Sequence, residues 1–143
     1  MNPPFHLVEG CWQEHKQSLT AVRYQVFVVE QQVPEALEPD EHDPRCHHVL
    51  MSDSKGRPVG TGRIKADGHI GRMAVLKDCR GQGIGSAMLV ALLEYARARG
   101  YASVFLHAQI SAIPFYANFG FVENGEPFID AGILHQRMIM CLT

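Results

Sequence analysis

Residues 70–100 read IGRMAVLKDCRGQGIGSAMLVALLEYARARG and contain the most informative pattern in the sequence. A short apolar strand at residues 73–75 runs into a polar turn and then into a glycine-rich run from Arg80 to Gly85. A helix follows, because apolar residues recur at the three- and four-residue spacing of one buried face as far as Tyr95. Glycines let backbone N–H groups approach a ligand, and the first helical turn adds unpaired donors at the positive end of the dipole. The stretch therefore predicts a phosphate-binding loop.

Two common phosphate-binding loops do not fit this pattern. The loop of nucleoside triphosphatases requires Gly-x4-Gly-Lys-Ser/Thr, and no lysine follows these glycines. A dinucleotide-binding loop requires a third glycine where Ser86 stands and an acidic residue about twenty positions later, where residues 101–105 have none. The pattern that remains is Arg/Gln-x-x-Gly-x-Gly/Ala, formed here by Arg80, Gly83 and Gly85 after a Met-Ala-Val strand.

This loop resembles the pyrophosphate loop of the GNAT N-acetyltransferase superfamily, which binds acetyl-coenzyme A. A second signature lies downstream, where AIPFYANFGF at residues 112–121 follows a predicted strand and matches the family pattern A-x-x-F-Y-x-x-x-G-F. A third segment, RYQVFVVEQ at residues 23–31, precedes a proline and an acidic stretch and resembles the ElaA-like branch of the superfamily.

The resemblance implies the GNAT fold, an α/β (α+β) arrangement in one domain over residues 1–143. In this fold a single mixed sheet of about six to seven strands contains a central splayed parallel pair and is flanked by about four helices. The local signals agree, since Asp67-Gly68 predicts a hairpin into the strand that holds Arg72. After the long helix, a crossover should make the strand at residues 104–108 parallel to that strand.

Other elements are predicted from periodicity and turn residues. A helix starts at Gln13 and ends before Val33-Pro34. Residues 128–142 form one or two late strands, with their turn at residues 130–132. Arg23 and Glu30 are seven residues apart, about two α-helical turns, so they are predicted to share a face.

The resemblance also assigns cofactor-binding positions. Where the strands splay, free backbone N–H groups of residues 73–75 would bind the thioester carbonyl and the pantetheine amides. Ala108 stands where many relatives have a polar residue, usually asparagine, so this chain departs from the family there, and Gln109 follows. The predicted cofactor-binding residues are Met73, Ala74, Val75, Arg80, Gly81, Gln82, Gly83, Ile84, Gly85, Ser86 and Gln109.

Four residues are candidates for acid–base chemistry. Tyr116 lies where the family has its general acid, and its minimum role is a hydrogen bond to the leaving thiolate; the alternative is a buried structural tyrosine. An amine with a pKa of about 10.4 is protonated at pH 7, so a base or a water path is needed. His135 matches a histidine proposed as the base in amine-acetylating relatives, while Glu30, whose pKa burial would have to raise, or no dedicated base remain alternatives. His107 also competes for this role but is less suited, because it sits on the strand under the cofactor.

Two arginines are the predicted acceptor-binding residues. The resemblance puts Arg23 and Arg72 near the acceptor cleft, where each could bind a carboxylate; both could instead pair with acidic residues. Residues 35–43 carry five acidic residues, which form either a solvated loop or an acidic lip that attracts a cationic amine.

Composition limits the other function classes. A net charge of −2 gives no basic field for nucleic acid, and no run reaches the roughly 18 apolar residues of a membrane helix. No leader is recognised, so a cytoplasmic protein is expected. The four cysteines lack C-x-x-C spacing, and His47 and His48 point to opposite faces of a strand, so no metal site is predicted.

Taken together, the motifs predict an acetyl-CoA-dependent N-acetyltransferase. An acetyl group would pass to a primary amine by direct attack in a ternary complex, with a small amine or amino-acid-like compound as acceptor and a homodimer left open. Two alternatives remain, namely a protein-lysine or N-terminal acetyltransferase and a non-catalytic acyl-CoA sensor. Tyr116 favours an enzyme, because a sensor has no chemical need for an acid.

Overall fold

The structure is a computed structural model that describes residues 4–35 and 40–143, and one mixed sheet dominates these residues. Its strands run in the order β1-β2-β3-β4-β5-β8, with β6 and β7 both pairing along the outer edge of β8. The eight described strands are β1 (Phe5–Gly10), β2 (His47–Asp53), β3 (Pro58–Ile64), β4 (His69–Val75), β5 (Ser103–Gln109), β6 (Val122–Glu123), β7 (Phe128–Asp130) and β8 (Ile133–Cys141). The predicted mixed sheet is confirmed, with the two-residue β6 as an unpredicted addition.

Three α-helices occur in the described ranges, one fewer than the expected four. They are α1 (Trp12–Arg23), α2 (Ile84–Ala98) and α3 (Ile113–Ala117). The first helix does not end at Arg23, because it continues directly into a π-helix over Tyr24–Glu30. The single helix predicted over this stretch is therefore present, but its second part is π-helical.

The main core lies between α2 and one face of the sheet. Met88, Leu89 and Leu92 of α2 are fully buried, and they belong to one cluster with Ile70 of β4 and Leu106 of β5. The helix stops as the sequence predicts, since Gly100 adopts a φ of 78° just beyond its end. This packing fixes the start of α2, and hence the glycine loop, against the centre of the sheet.

The first helix covers the opposite face of the sheet over β2, β3 and β4. Leu19 packs with Leu50, while Val22 and the π-helix residue Val26 pack with Ala74 of β4. The π-helix is thereby held against the strand that leads to the glycine loop.

The central strands β4 and β5 are parallel and splay apart, as predicted. Their register contains two residue pairs, His69 with Phe105 and Ile70 with Leu106, although each strand has seven residues. All other strand pairs in the described sheet are antiparallel.

A β-bulge begins where the two strands separate. The pairing of β3 with β4 shifts by one residue, so that Arg72 and Met73 together lie opposite Gly62. Arg72 has a φ of 50°, and its carbonyl oxygen accepts a hydrogen bond of 3.0 Å from the Thr61 hydroxyl. The bulge bends β4, and the bend coincides with the loss of pairing to β5.

Candidate active site

Two cavities adjoin at the opening between β4 and β5. The loop cavity, about 450 Å³, is lined by the glycine loop, the start of α2 and α3. The π-helix cavity, about 470 Å³, is lined by the π-helix, the ends of β4 and β5, and the β7–β8 hairpin. Residues common to both walls are Met73, Ala74, Val75, Arg80, Ala112 and Tyr116. A molecule in the opening would therefore contact both cavities.

The glycine loop has the backbone shape that an anion-binding loop needs. Gly81 and Gly83 have φ values of 79° and 84°, a region that favours glycine, and an added Cβ at either would meet no atom within 4 Å. Gly83 is the N-cap of α2, so the N–H groups of the first turn, which includes Ser86, have no acceptor within the helix. The loop offers open space together with backbone donors, which fits a pyrophosphate.

Arg80 is held at the start of this loop by two different acceptors. Its Nε donates to the Val75 carbonyl oxygen at 3.0 Å, and Nη1 and Nη2 donate to Glu30 at 2.7 and 2.6 Å. The hydrogen bonds from Arg80 lower the pKa of Glu30. Glu30 is therefore a bound carboxylate that lines neither cavity, and this placement gives no support to its predicted role as a base.

Tyr116 lies on the wall that the two cavities share. Its side chain is 9% exposed and packs edge-on against Phe115 and Phe121. Burial raises the pKa of Tyr116 to about 12, so the hydroxyl stays protonated at neutral pH. No described residue forms a hydrogen bond with that hydroxyl, which leaves it available as a donor to a ligand.

His135 lines the π-helix cavity from β8. Its Nδ1 lies 2.7 Å from the carbonyl oxygen of Ile133, and its ring stacks on Phe128. A carbonyl oxygen can only accept, so Nδ1 carries the proton, and Nε2 of the neutral ring has a free lone pair. This tautomer is the one that a proton acceptor at Nε2 requires.

Two further histidines line the same cavity. The rings of His69 and His107 are 4.6 Å apart between centroids. Burial, and next the charge of His107, lowers the pKa of His69 to about 4; burial also lowers the pKa of His107. Both are thus neutral at pH 7. His107 was expected on the strand under the cofactor, whereas no local pattern in the sequence pointed to His69 as a residue that lines a cavity.

Arg23 does not lie at the cleft, which corrects its predicted contact with an acceptor. Its side chain is 1% exposed, and its guanidinium group donates to Asp43 at 2.9 and 3.0 Å. The predicted shared face with Glu30 assumed an α-helix, whereas a π-helical turn contains more residues. Seven positions therefore do not amount to two turns.

Arg72 does line the π-helix cavity, and it is also paired with the acidic segment. Its Nη2 lies 3.1 Å from Asp40, which accepts two bonds of 2.7 Å from Arg63. Burial alone would raise the pKa of Asp40, but bonds and charges from these arginines hold it well below its usual range. Asp40 and the buried Asp43 are therefore not part of a solvated loop, and Glu38 lies outside the described residues.

Metal-ligating side chains are dispersed in the described part of the chain. No group of three or more His, Cys, Asp or Glu residues there could hold a metal ion. His47 stacks on Tyr95 of α2, whereas the buried His48 bonds to the carbonyl oxygen of Asp43, so the two lie on opposite faces of the sheet. None of the described helices combines the length and apolarity needed to cross a membrane.

Comparison with known proteins gives consistent matches over most of the chain. A family model described as an acetyltransferase (GNAT) domain matches residues 13–142. The protein YjcF of Bacillus subtilis, described as an uncharacterized N-acetyltransferase, is 38% identical over 122 residues, which cover 82% of this chain and 86% of that protein.

Solved structures agree with the sequence matches. An acyl-CoA N-acyltransferase from Pseudomonas aeruginosa is 26% identical with a TM-score of 0.84, and the match covers 94% of this chain and 98% of that one. Escherichia coli ElaA is 27% identical with a TM-score of 0.83 and the same coverage. ElaA, whose branch residues 23–31 resemble, is thus among the solved structures that share this fold.

Proposed function

This chain belongs to the GNAT acetyltransferase family and is an acyl-CoA-dependent acyltransferase, and from that premise we propose that it transfers an acetyl group to the primary amine of a small acceptor. The observation that carries the proposal is the opening between β4 and β5, which joins the loop cavity to the π-helix cavity. A donor and an acceptor that enter from the two cavities would meet at the shared wall.

On the donor side, the loop residues bind the pyrophosphate and β4 binds the acyl end. The positive φ of Gly81 and Gly83 supports pyrophosphate binding by the loop, because the backbone there borders open space beside the start of α2. Binding of the acyl end rests on residues 73–75, whose strand edge facing β5 has no pairing partner beyond Ile70. Backbone N–H groups there stabilise the charge that develops on the carbonyl oxygen.

The two side chains suited to proton handling line the cavities from different elements. His135, with Nε2 as its basic nitrogen, accepts a proton from the ammonium group of the acceptor, and the neutral amine that results attacks the thioester carbon. Tyr116 donates a hydrogen bond to the departing thiolate. Since the pKa of Tyr116 is raised to about 12 and a thiol has a pKa of about 8.5, hydrogen bonding is favoured over full proton transfer.

The acceptor is an amine that also carries an anionic group. The π-helix cavity is lined by the cationic side chains Arg63, Lys65 and Arg72, while its histidines His69 and His107 are neutral at pH 7. A carboxylate can bind the guanidinium group of Arg72 next to Asp40. Arg23 takes no part in this arrangement, because it is buried against Asp43.

The function can be tested by incubating the protein with acetyl-CoA and a panel of amines and measuring the release of free thiol. We expect amine-dependent thiol release with amino acids or similar compounds, and slower release when Tyr116 is changed to Phe. Binding of acetyl-CoA without thiol release for any small amine, peptide or protein amine would contradict the proposal and favour an acyl-CoA sensor.

A further inference from the structure

Two adjacent residues at the end of the π-helix contact the two strand ends that separate. Glu30 accepts two hydrogen bonds from Arg80, which follows β4 by five residues. Gln31 accepts a bond of 3.0 Å from Nε2 of Gln109, the last residue of β5. The end of the π-helix thus bridges the opening through which a donor would reach the acceptor cavity.

All three nitrogen atoms of Arg80 are already engaged in this state. One donates to the Val75 carbonyl oxygen and two donate to Glu30. Arg80 nevertheless lines both cavities and directly precedes the glycine loop. A phosphate that binds the loop would therefore meet a guanidinium group in which each terminal nitrogen already donates one of its two N–H groups to a carboxylate.

We propose that Glu30 and the phosphate groups of acyl-CoA compete for Arg80, so that donor binding releases the end of the π-helix from the loop. This inference rests on the proposed function, and it makes Glu30 a positioning residue. The pair is accessible, because the side chains of Arg80 and Glu30 are 41% and 32% exposed. Exposed ion pairs contribute little to stability, so replacing one anion by another is inexpensive.

Replacement of Glu30 by a phosphate at Arg80 would also affect the cavity proposed for the acceptor. Val26, Phe27 and Gln31 lie in or next to the π-helix and line its cavity, whereas Glu30 does not. When the donor displaces Glu30 from Arg80, the neighbouring residues that line the cavity would become free to move. The wall of the acceptor cavity would therefore change only after the donor has bound. Donor binding would then precede acceptor binding, because the ligand favours the released state.

Calorimetric titration with CoA, and separately with inorganic pyrophosphate, tests the competition. Glu30→Gln keeps the shape of the side chain and removes its charge, so both ligands should bind about two- to fivefold more tightly than to the wild type. The gain should shrink with added salt. Glu35→Gln removes the same charge from an exposed residue without contact to Arg80, and it should bind like the wild type.

A purely structural role for Glu30 would predict weaker binding in Glu30→Gln, so unchanged or weaker binding overturns the competition. Amide hydrogen exchange in residues 24–33 tests the release. Pyrophosphate should speed exchange there in the wild type and have no effect in Glu30→Gln, where exchange is already fast. Unchanged or slower exchange in the wild type overturns the release. If the wild type bound neither CoA nor pyrophosphate, the proposed function itself would fail.

Discussion

Ile70 and Leu106 form the last residue pair between β4 and β5, and the two strands separate beyond it. The separation coincides with the bulge at Arg72 and Met73, where an extra residue bends β4 away from its neighbour. Strand ends that stop pairing leave backbone N–H groups for a ligand. The proposed site therefore depends on backbone geometry at the centre of the sheet, with few side chains directly involved.

The charge of a side chain in the glycine loop should control donor binding. Asn and Asp both tolerate the positive φ of Gly83, and an added Cβ there meets no atom within 4 Å, so the two variants differ mainly in charge. We expect Gly83→Asp to lose acetyl-CoA binding in calorimetry and Gly83→Asn to retain much of it. Wild-type affinity in a folded Gly83→Asp protein would remove the loop from the site.

Removal of the Tyr116 hydroxyl should slow turnover with little effect on binding. Tyr116→Phe should lower kcat by roughly ten- to ten-thousandfold, the range between a lost hydrogen bond and lost acid catalysis, while the Kd for acetyl-CoA stays nearly constant. Tyr101→Phe is the control, since Tyr101 lines neither cavity. Full activity in Tyr116→Phe would assign this tyrosine to packing.

The role of His135 should appear in the pH dependence of the rate. His135→Gln should lower kcat at pH 7 by about a hundred- to ten-thousandfold, with acetyl-CoA binding unchanged. The deficit should narrow toward pH 10, because an amine with a pKa of about 10.4 then loses its proton without help. His47→Gln, on the α2 side of the sheet, is the control. A constant deficit at every pH would argue against a base.

Arg72 should discriminate between acceptors. Arg72→Gln should raise KM about tenfold or more for an amino acid, because a charge-assisted hydrogen bond is lost, and much less for a simple monoamine. Lys65→Gln removes another cation from the same cavity and controls for general charge. Equal effects of Arg72→Gln on both acceptors would contradict the carboxylate contact and favour a polyamine or a protein lysine.

The buried ion pairs around Asp43 should make the free energy of unfolding fall at low pH. Burial raises the pKa of Asp43, but the bonds from Arg23 outweigh it, so the net pKa lies below the ordinary value. A lowered carboxyl pKa stabilises the fold above the unfolded value of about 3.9, and this contribution is lost as the pH falls below it. Denaturant unfolding should show this decline in the wild type.

Denaturant unfolding at pH 7 tests the ion pairs of Asp43 directly. Asp43→Asn should reduce the free energy of unfolding by about 3–5 kcal/mol, because the buried Arg23 loses the carboxylate to which it donates two bonds and the buried Arg63 loses one of its two carboxylate partners. Asp43→Asn should also make the free energy of unfolding decline less steeply below about pH 4. Asp67→Asn, in the turn between β3 and β4 with its side chain exposed, should have little effect on either. An Asp43→Asn protein as stable as the wild type would show that the ion pairs of Asp43 do not stabilise the fold.

The loop and α2 could be predicted from the sequence because local rules determine them, whereas the splayed strands were expected from the family resemblance. Glycine at positive φ, helical spacing and the two family signatures all lie within residues 70–121. The roles suggested for Tyr116 and His135 came from the resemblance, and both side chains line the cavities.

Arg23 and Glu30 could not be placed in this way. Their separation was measured along an α-helix, and the change to a π-helix after Arg23 has no signature in the local pattern. Their partners are also distant in sequence, since Asp43 is 20 residues from Arg23 and Arg80 is 50 residues from Glu30. Contacts of this kind depend on how the sheet brings separate segments together.

The most direct test of the donor site is to titrate isotope-labelled protein with acetyl-CoA and follow the backbone amide resonances. The proposed site predicts the largest shifts at Ala74, Val75 and residues 81–86, with smaller shifts on the outer strand β1. Saturable shifts confined to other regions, with the amides of residues 74, 75 and 81–86 unmoved, would contradict binding in the opening between β4 and β5.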